Sequence, residues 1–205
     1  MPSKRPDIPK WTQCALKGIG FWVGHRRELY RHHPLAEGAL VGELCNLIAT
    51  ELGRDQQLDC EIGYRHLLKS PRNESDLEQS MSRADLVIFD RPVEGEEDYF
   101  DQCKSIIEVK RVQSAKKRID KDLKRLAEAQ KFSRDETRTF LVLVSQRQRP
   151  SRFTTKDGNA RKGDLKIEDT NKKYWVRRSC KATSSFKGTD TAHYGCLLEV
   201  PGQPT

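Results

Sequence analysis

Asp85, Glu108 and Lys110 put charge where a buried strand should carry none. Asp85 stands at the head of the run Ala84-Asp85-Leu86-Val87-Ile88-Phe89. Glu108 and Lys110 sit two apart within Ile106-Ile107-Glu108-Val109-Lys110, so on a strand their side chains share one face. Ionised groups in a core are costly unless they pair or hold a metal. Two carboxylates and a lysine converging at a sheet edge are what metal-assisted phosphodiester cleavage needs. Asp85 and Glu108 would supply oxygen ligands to Mg²⁺, with the Val109 carbonyl as a third and water completing the shell. Such an ion neutralises charge on a scissile phosphate and lowers the pKa of a bound water. Lys110, near that water, would position it or assist its deprotonation and stabilise the pentavalent transition state. The competing reading is a structural Glu–Lys pair beside an incidental acid at a strand end.

Spacing alone does not select this site. The pattern acid-x-Lys occurs at Glu108-Val109-Lys110, at Asp122-Leu123-Lys124 and at Asp164-Leu165-Lys166. The second falls on an amphipathic helix, where side chains two apart diverge. The third lies in a polar stretch flanked by glycine. Only the first sits in an apolar strand, with an acid-bearing strand before it and a lysine-rich helix after it.

The elements around these residues follow from periodicity. Pro34 opens a helix that ends near Gly53, with Leu40, Val41, Leu44, Leu47, Ile48 and Leu52 on its buried face. Leu58 to Leu67 reads as a strand and 69–80 as a polar loop. The Asp85 strand, an acidic turn over 91–102 and the Glu108 strand come next. From Ser114 to about Phe132 the pattern is helical, with Ile119, Leu123, Leu126 and Ala127 on one side. Thr139 to Val144 is continuously apolar, a strand covered on both faces. Tyr174–Val176 and Tyr194–Val200 read as further strands. The first 34 residues form a covering segment, a short helix or loop in which Trp11, Leu16, Ile19, Phe21, Trp22 and Val23 meet the core. The order helix, strand, strand, strand, helix, strand describes an α/β sandwich with a mixed sheet.

This arrangement resembles the PD-(D/E)xK nuclease superfamily, over roughly residues 35–145. The motifs are short but ordered: a helix acid, Asp85, Glu108-x-Lys110, a basic helix and a strand. Ala84 stands where the proline of the superfamily's name would be, at a position that varies widely. The resemblance implies a restriction-endonuclease-like αβββαβ core, its mixed sheet flanked by helices, with a basic C-terminal extension over 146–205 packed on the same domain. It implies a Mg²⁺-dependent DNA endonuclease, Mn²⁺ being the substitute ion, serving restriction, phage defence or DNA repair and recombination. A homodimer is implied by the same resemblance. The helix acid is Glu37 or Glu43. Glu37 lies on the apolar face, and Glu37-Gly38-Ala39-Leu40-Val41 matches a pattern common in such nucleases, so Glu37 is preferred as a group reaching the metal through water. An acid favoured by the helix dipole is its plainer role. Gln130 resembles the helix glutamine of some families of this superfamily.

Net charge is +8, and it is unevenly distributed. Residues 146–187 hold 13 Lys plus Arg against 4 Asp plus Glu, while the rest of the chain holds 25 against 26. A basic block of this kind marks a polyanion-binding surface, with DNA the expected partner and a solvated basic tail the alternative. Arg177, Arg178 and Lys181 beside Tyr174 and Trp175 resemble a surface where cations and aromatic faces interleave. Lys116, Lys117, Lys121 and Lys124 on the helix after Lys110 are candidate phosphate contacts, or an ordinary solvated face. His32 and His33 precede the first core helix and are further candidates for approach to substrate. The six cysteines show no close metal-ligand spacing, and Cys180, His193 and Cys196 lack an evident fourth ligand. No apolar stretch approaches the roughly 20 residues that span a bilayer, and no signal peptide is evident, so a cytoplasmic protein without membrane contact is expected. A non-catalytic nucleic-acid-binding module with a nuclease-like fold is the alternative function.

Overall fold

A computed structural model describes residues 5–29, 35–68, 82–91, 99–113, 116–182 and 188–202. His32 and His33 lie outside the described residues, as does the expected polar loop from 69 to 80. The elements run α1 (Trp11–Leu29), α2 (Glu37–Ala49), β1 (Gln56–Gly63), α3 (Tyr64–Leu67), β2 (Arg83–Asp90), α4 (Tyr99–Gln102), β3 (Cys103–Arg111), α5 (Lys116–Phe132), β4 (Arg138–Ser145), β5 (Leu165–Lys166), β6 (Lys173–Lys181) and β7 (Tyr194–Val200).

One mixed sheet of seven strands, in the order β1-β2-β3-β4-β7-β6-β5, carries the molecule. Neighbours are antiparallel except β3 and β4, which are parallel with α5 as their crossover. Parallel strands need such a crossover because a tight hairpin cannot reverse the chain twice. Alternate residues of the central strands feed two separate cores. Leu86, Ile88, Ile107, Val109, Phe140, Val142 and Val144 face α1 and α2. Val87, Phe89, Ile106, Leu141 and Leu143 face α5 and the segment carrying Phe153, Ile167 and Tyr174. Every residue of β4 from Thr139 to Ser145 is buried, as a strand covered on both sides requires.

Two elements differ from expectation. The N-terminal segment forms a full helix of 19 residues, α1, rather than a short helix or loop. Trp11, Ala15, Leu16, Ile19 and Val23 follow helical spacing and are buried, each large apolar side chain contributing roughly 1.5–3 kcal/mol on burial. Phe21, expected to cover the core, is 45% exposed because it falls on the opposite side of that helix. The strand expected through Leu67 stops at Gly63, opposite Arg83, and the chain turns helical. Gly63 is the last paired residue of β1, and the Tyr64 N–H bonds the Ser82 carbonyl at 3.1 Å as the helical turn begins. C-terminal to residue 146, β6 and β7 extend the central sheet directly from β4.

Candidate active site

The register of the sheet brings the sequence-selected residues together. Leu86 lies opposite Ile107, so one further step along both strands sets Asp85 abreast of Glu108. The Val109 N–H donates to Asp85 Oδ2 at 2.7 Å. Glu108 is 1% exposed, with Lys110 half-buried on the same face of β3. Lys110 Nζ reaches Glu37 Oε1 at 2.5 Å, so the first turn of α2 supplies a carboxylate to the cluster. Glu43 lies farther along α2 and is not among the cluster's contacts.

Three members are not expected from the sequence. Tyr64, buried at the start of α3, donates its hydroxyl to Glu108 Oε1 at 2.7 Å. Arg125 on α5 sets Nη2 2.8 Å from Glu108 Oε2 and 2.7 Å from Asp122 Oδ1. Asp122 in turn presents Oδ2 at 3.3 Å to Lys110. By its pattern Tyr64 reads as part of a strand, and Asp122 and Arg125 as part of an amphipathic helix. The one signal for the latter two is an acid and an arginine three apart, beside Leu123 and Leu126 on the apolar face. Glu61, exposed on β1 with φ of 58°, adds a neighbouring negative charge that raises the pKa of Asp85.

Burial dominates the electrostatics. It pushes Glu108 up to about 8 against the pull of Arg125, and the adjacent Asp85 carboxylate adds to the rise. Burial likewise lifts Asp85 above the usual carboxylate range, although its bond from the Val109 amide and the charge of Lys110 oppose this. Burial alone would lower Lys110, but the hydrogen bond to Glu37 and the charge of Asp122 prevail and hold it above its ordinary value. The cluster therefore contains four carboxyl groups, Glu37, Asp85, Glu108 and Asp122, against two cations, Lys110 and Arg125. Two carboxyls abreast at the end of a buried strand pair form a place where a cation is favourable.

The donor set fits Mg²⁺. Asp85 Oδ1 is free of the Val109 amide bond, and each oxygen of Glu108 keeps a second lone pair beside its Tyr64 or Arg125 partner. Among the described residues no three His, Cys, Asp or Glu side chains converge on one point. Mg²⁺ suits such a site because it is held by one or two carboxylates and keeps several waters for substrate to displace.

The remaining expectations fall elsewhere. Lys117 and Lys121 are exposed on α5, while Lys116 pairs with Glu168 at 2.7 Å and Lys124 approaches Asp169 at 3.5 Å. Arg177 does not face solvent: its side chain is 6% exposed, Nη1 lies 2.8 Å from Glu199, and Nη2 donates to the Pro6 carbonyl. Arg178 bonds Gln13 at 3.1 Å, and Lys181 is exposed at the end of β6. Gln130 uses its amide on the Thr137 carbonyl and the Thr139 hydroxyl, a structural tie within the crossover. Cys180 and Cys196 cannot share a metal, because they pack into cores on opposite faces of the sheet. Among the described residues no helix is long and apolar enough to cross a membrane.

No known protein family matches the chain, and no curated protein does. Among solved structures it is similar to the cAAA-bound form of NucC from P. aeruginosa, at 12% identity and a TM-score of 0.35, over 63% of this chain and 53% of that one. The chain thus spans about half the length of that protein. At that level the likeness leaves the reading of the site to its own geometry.

Proposed function

We propose that the chain is a Mg²⁺-dependent DNA endonuclease of the PD-(D/E)xK type, with residues 35–145 as its αβββαβ core. In this reading residues 1–34 cover the core and 146–205 form a basic substrate-binding extension on the same domain. The observation that carries it is the meeting of Asp85 and Glu108 at the paired ends of β2 and β3, with Lys110 on the face of Glu108.

Mg²⁺, when bound, would neutralise the scissile phosphate and activate a water, with Mn²⁺ as its substitute. Asp85, Glu108 and the Val109 carbonyl would hold it. Lys110, flanked by Glu37 and Asp122, presents an ammonium that orients the attacking water and stabilises charge on the pentavalent phosphorus. Glu37 fixes Lys110 from the α2 side and would reach the ion through water. Exposed Lys117, Lys121 and Lys181, together with Lys116, Lys124 and Arg178, contact the DNA backbone. The protein acts in the cytoplasm as a homodimer, in restriction, phage defence or DNA repair.

Supercoiled plasmid incubated with the protein and Mg²⁺, beside Asp85→Ala, Lys110→Ala and an EDTA control, tests the reading. Nicking or linearisation that EDTA abolishes and both substitutions sharply slow supports it. Retardation of the plasmid without cleavage supports a non-catalytic binding module instead.

A further inference from the structure

A buried acid on the apolar side of α5 has no direct part in the proposed chemistry. Asp122 has a side chain 7% exposed, among Ile119, Leu123 and Leu126, which pack into the core. A carboxylate there is costly unless it is compensated. Its compensation comes from the two cations of the site: Arg125 Nη2 at 2.7 Å from Oδ1, and Lys110 Nζ at 3.3 Å from Oδ2. Asp122 Oδ2 has no hydrogen bond of good geometry, so Lys110 is the one cation within ion-pair reach of that oxygen among the described residues. Arg125 then passes the link to Glu108 Oε2 at 2.8 Å. One aspartate therefore braces both members of the Glu108-x-Lys110 pair from the crossover helix.

We infer that Asp122 is a positioning residue that sets the Lys110 ammonium against the scissile phosphate, acting through Lys110 rather than on substrate. This rests on the nuclease reading of the site. Lys110 ends a four-carbon stem with several free rotations, and an ammonium held by Glu37 alone can swing about that one contact. A second carboxylate on the opposite element, α5, removes that freedom and fixes the ammonium between α2 and α5. The bond Arg125 makes to both acids keeps Asp122 itself from turning away.

The test compares Asp122→Asn, Lys110→Met and the double variant in Mg²⁺-dependent cleavage of a labelled duplex, with kcat and KM separated. Alongside it, competitive acetylation of the folded, metal-free proteins is read lysine by lysine in a mass spectrometer. Asp122→Asn keeps the shape of the side chain and removes its charge. Expected is a fall in kcat of about 10- to 100-fold at unchanged KM, as for other residues that orient a site from behind. In the Lys110→Met background the same substitution should cost nothing more. Lys110 acetylation should rise several-fold in Asp122→Asn, with exposed Lys117 and Lys121 unchanged as internal standards. The inference is overturned if kcat is unaffected, if the loss is as large without Lys110 as with it, or if Lys110 labelling does not change. A parent protein that labels as expected yet cuts nothing overturns the nuclease reading and the inference with it. Cleavage that survives Asp122→Asn at full rate overturns the positioning role alone.

Discussion

Tyr64→Phe removes one oxygen atom from the centre of the site and leaves the packing around it intact. The Tyr64 ring is 1% exposed and sits under the Arg125 guanidinium, 5.9 Å from its centroid. Phenylalanine fills the same volume, so no cavity term enters. What disappears is the hydroxyl that donates to Glu108 Oε1 at 2.7 Å. A hydrogen bond to a charged or partly charged acceptor contributes roughly 1.5–3 kcal/mol, and Glu108, 1% exposed, is shut off from bulk solvent. For a chain of this size each kcal/mol corresponds to about 2–4 °C, so Tm should fall by about 3–12 °C. The assay is urea denaturation in EDTA of the parent, Tyr64→Phe, Glu108→Ala and the double variant. In the Glu108→Ala background the phenol hydroxyl has no acceptor, so Tyr64→Phe there should be neutral or stabilising. That reversal distinguishes a specific bond from a general softening of α3. A Tyr64→Phe variant within about 0.5 kcal/mol of the parent, or an equal loss in both backgrounds, refutes the reasoning.

Arg177 and Glu199 should govern stability and not DNA affinity. Their side chains are 6% and 4% exposed, so Glu199→Gln leaves a buried guanidinium uncompensated and should cost about 3–5 kcal/mol in chemical denaturation, with the salt dependence of DNA binding unchanged. Lys117→Glu with Lys121→Glu should do the reverse: unaltered melting, weaker duplex binding, and a log K against log salt slope lowered by about 1 for each phosphate that is no longer neutralised. His193 is buried, and burial with Arg27 and Arg147 nearby holds its pKa below the ordinary value, although Glu28 opposes. A histidine lowered in the fold contributes stability above its unfolded pKa and loses it as pH falls through the folded one. Stability should therefore drop below about pH 6.5, by no more than about 1.4 kcal/mol per pH unit from this residue, and His193→Gln should flatten that slope in melts from pH 7 to pH 5. An unchanged slope would dissociate His193 from acid sensitivity.

Legibility in the sequence follows the kind of physics each element depends on. β4 declares itself because a strand buried on both faces has to be apolar at nearly every position, and Thr139–Val144 is. Asp85, Glu108 and Lys110 stand out by contrast, as charges in such runs. The end of β1 is not legible, because it is decided by where the partner strand starts and not by the residues from Tyr64 to Leu67. Arg177 is misplaced for a related reason: a basic residue on a strand looks solvent-facing until an acid on the neighbouring strand, Glu199 on β7, is known to meet it. Asp122 carries the sharper lesson. As the start of an acid-x-Lys match it fails, since on a helix Asp122 and Lys124 diverge, and Lys124 does reach away toward Asp169. The same divergence is what turns Asp122 inward, one residue from Leu123 and three from Arg125, onto the site built by the other match. Periodicity rightly excludes Asp122 and Lys124 as a catalytic pair. Read one residue at a time, it places an acid on the buried face of α5, where Arg125 on the same helix and Lys110 on the facing strand make that placement tolerable.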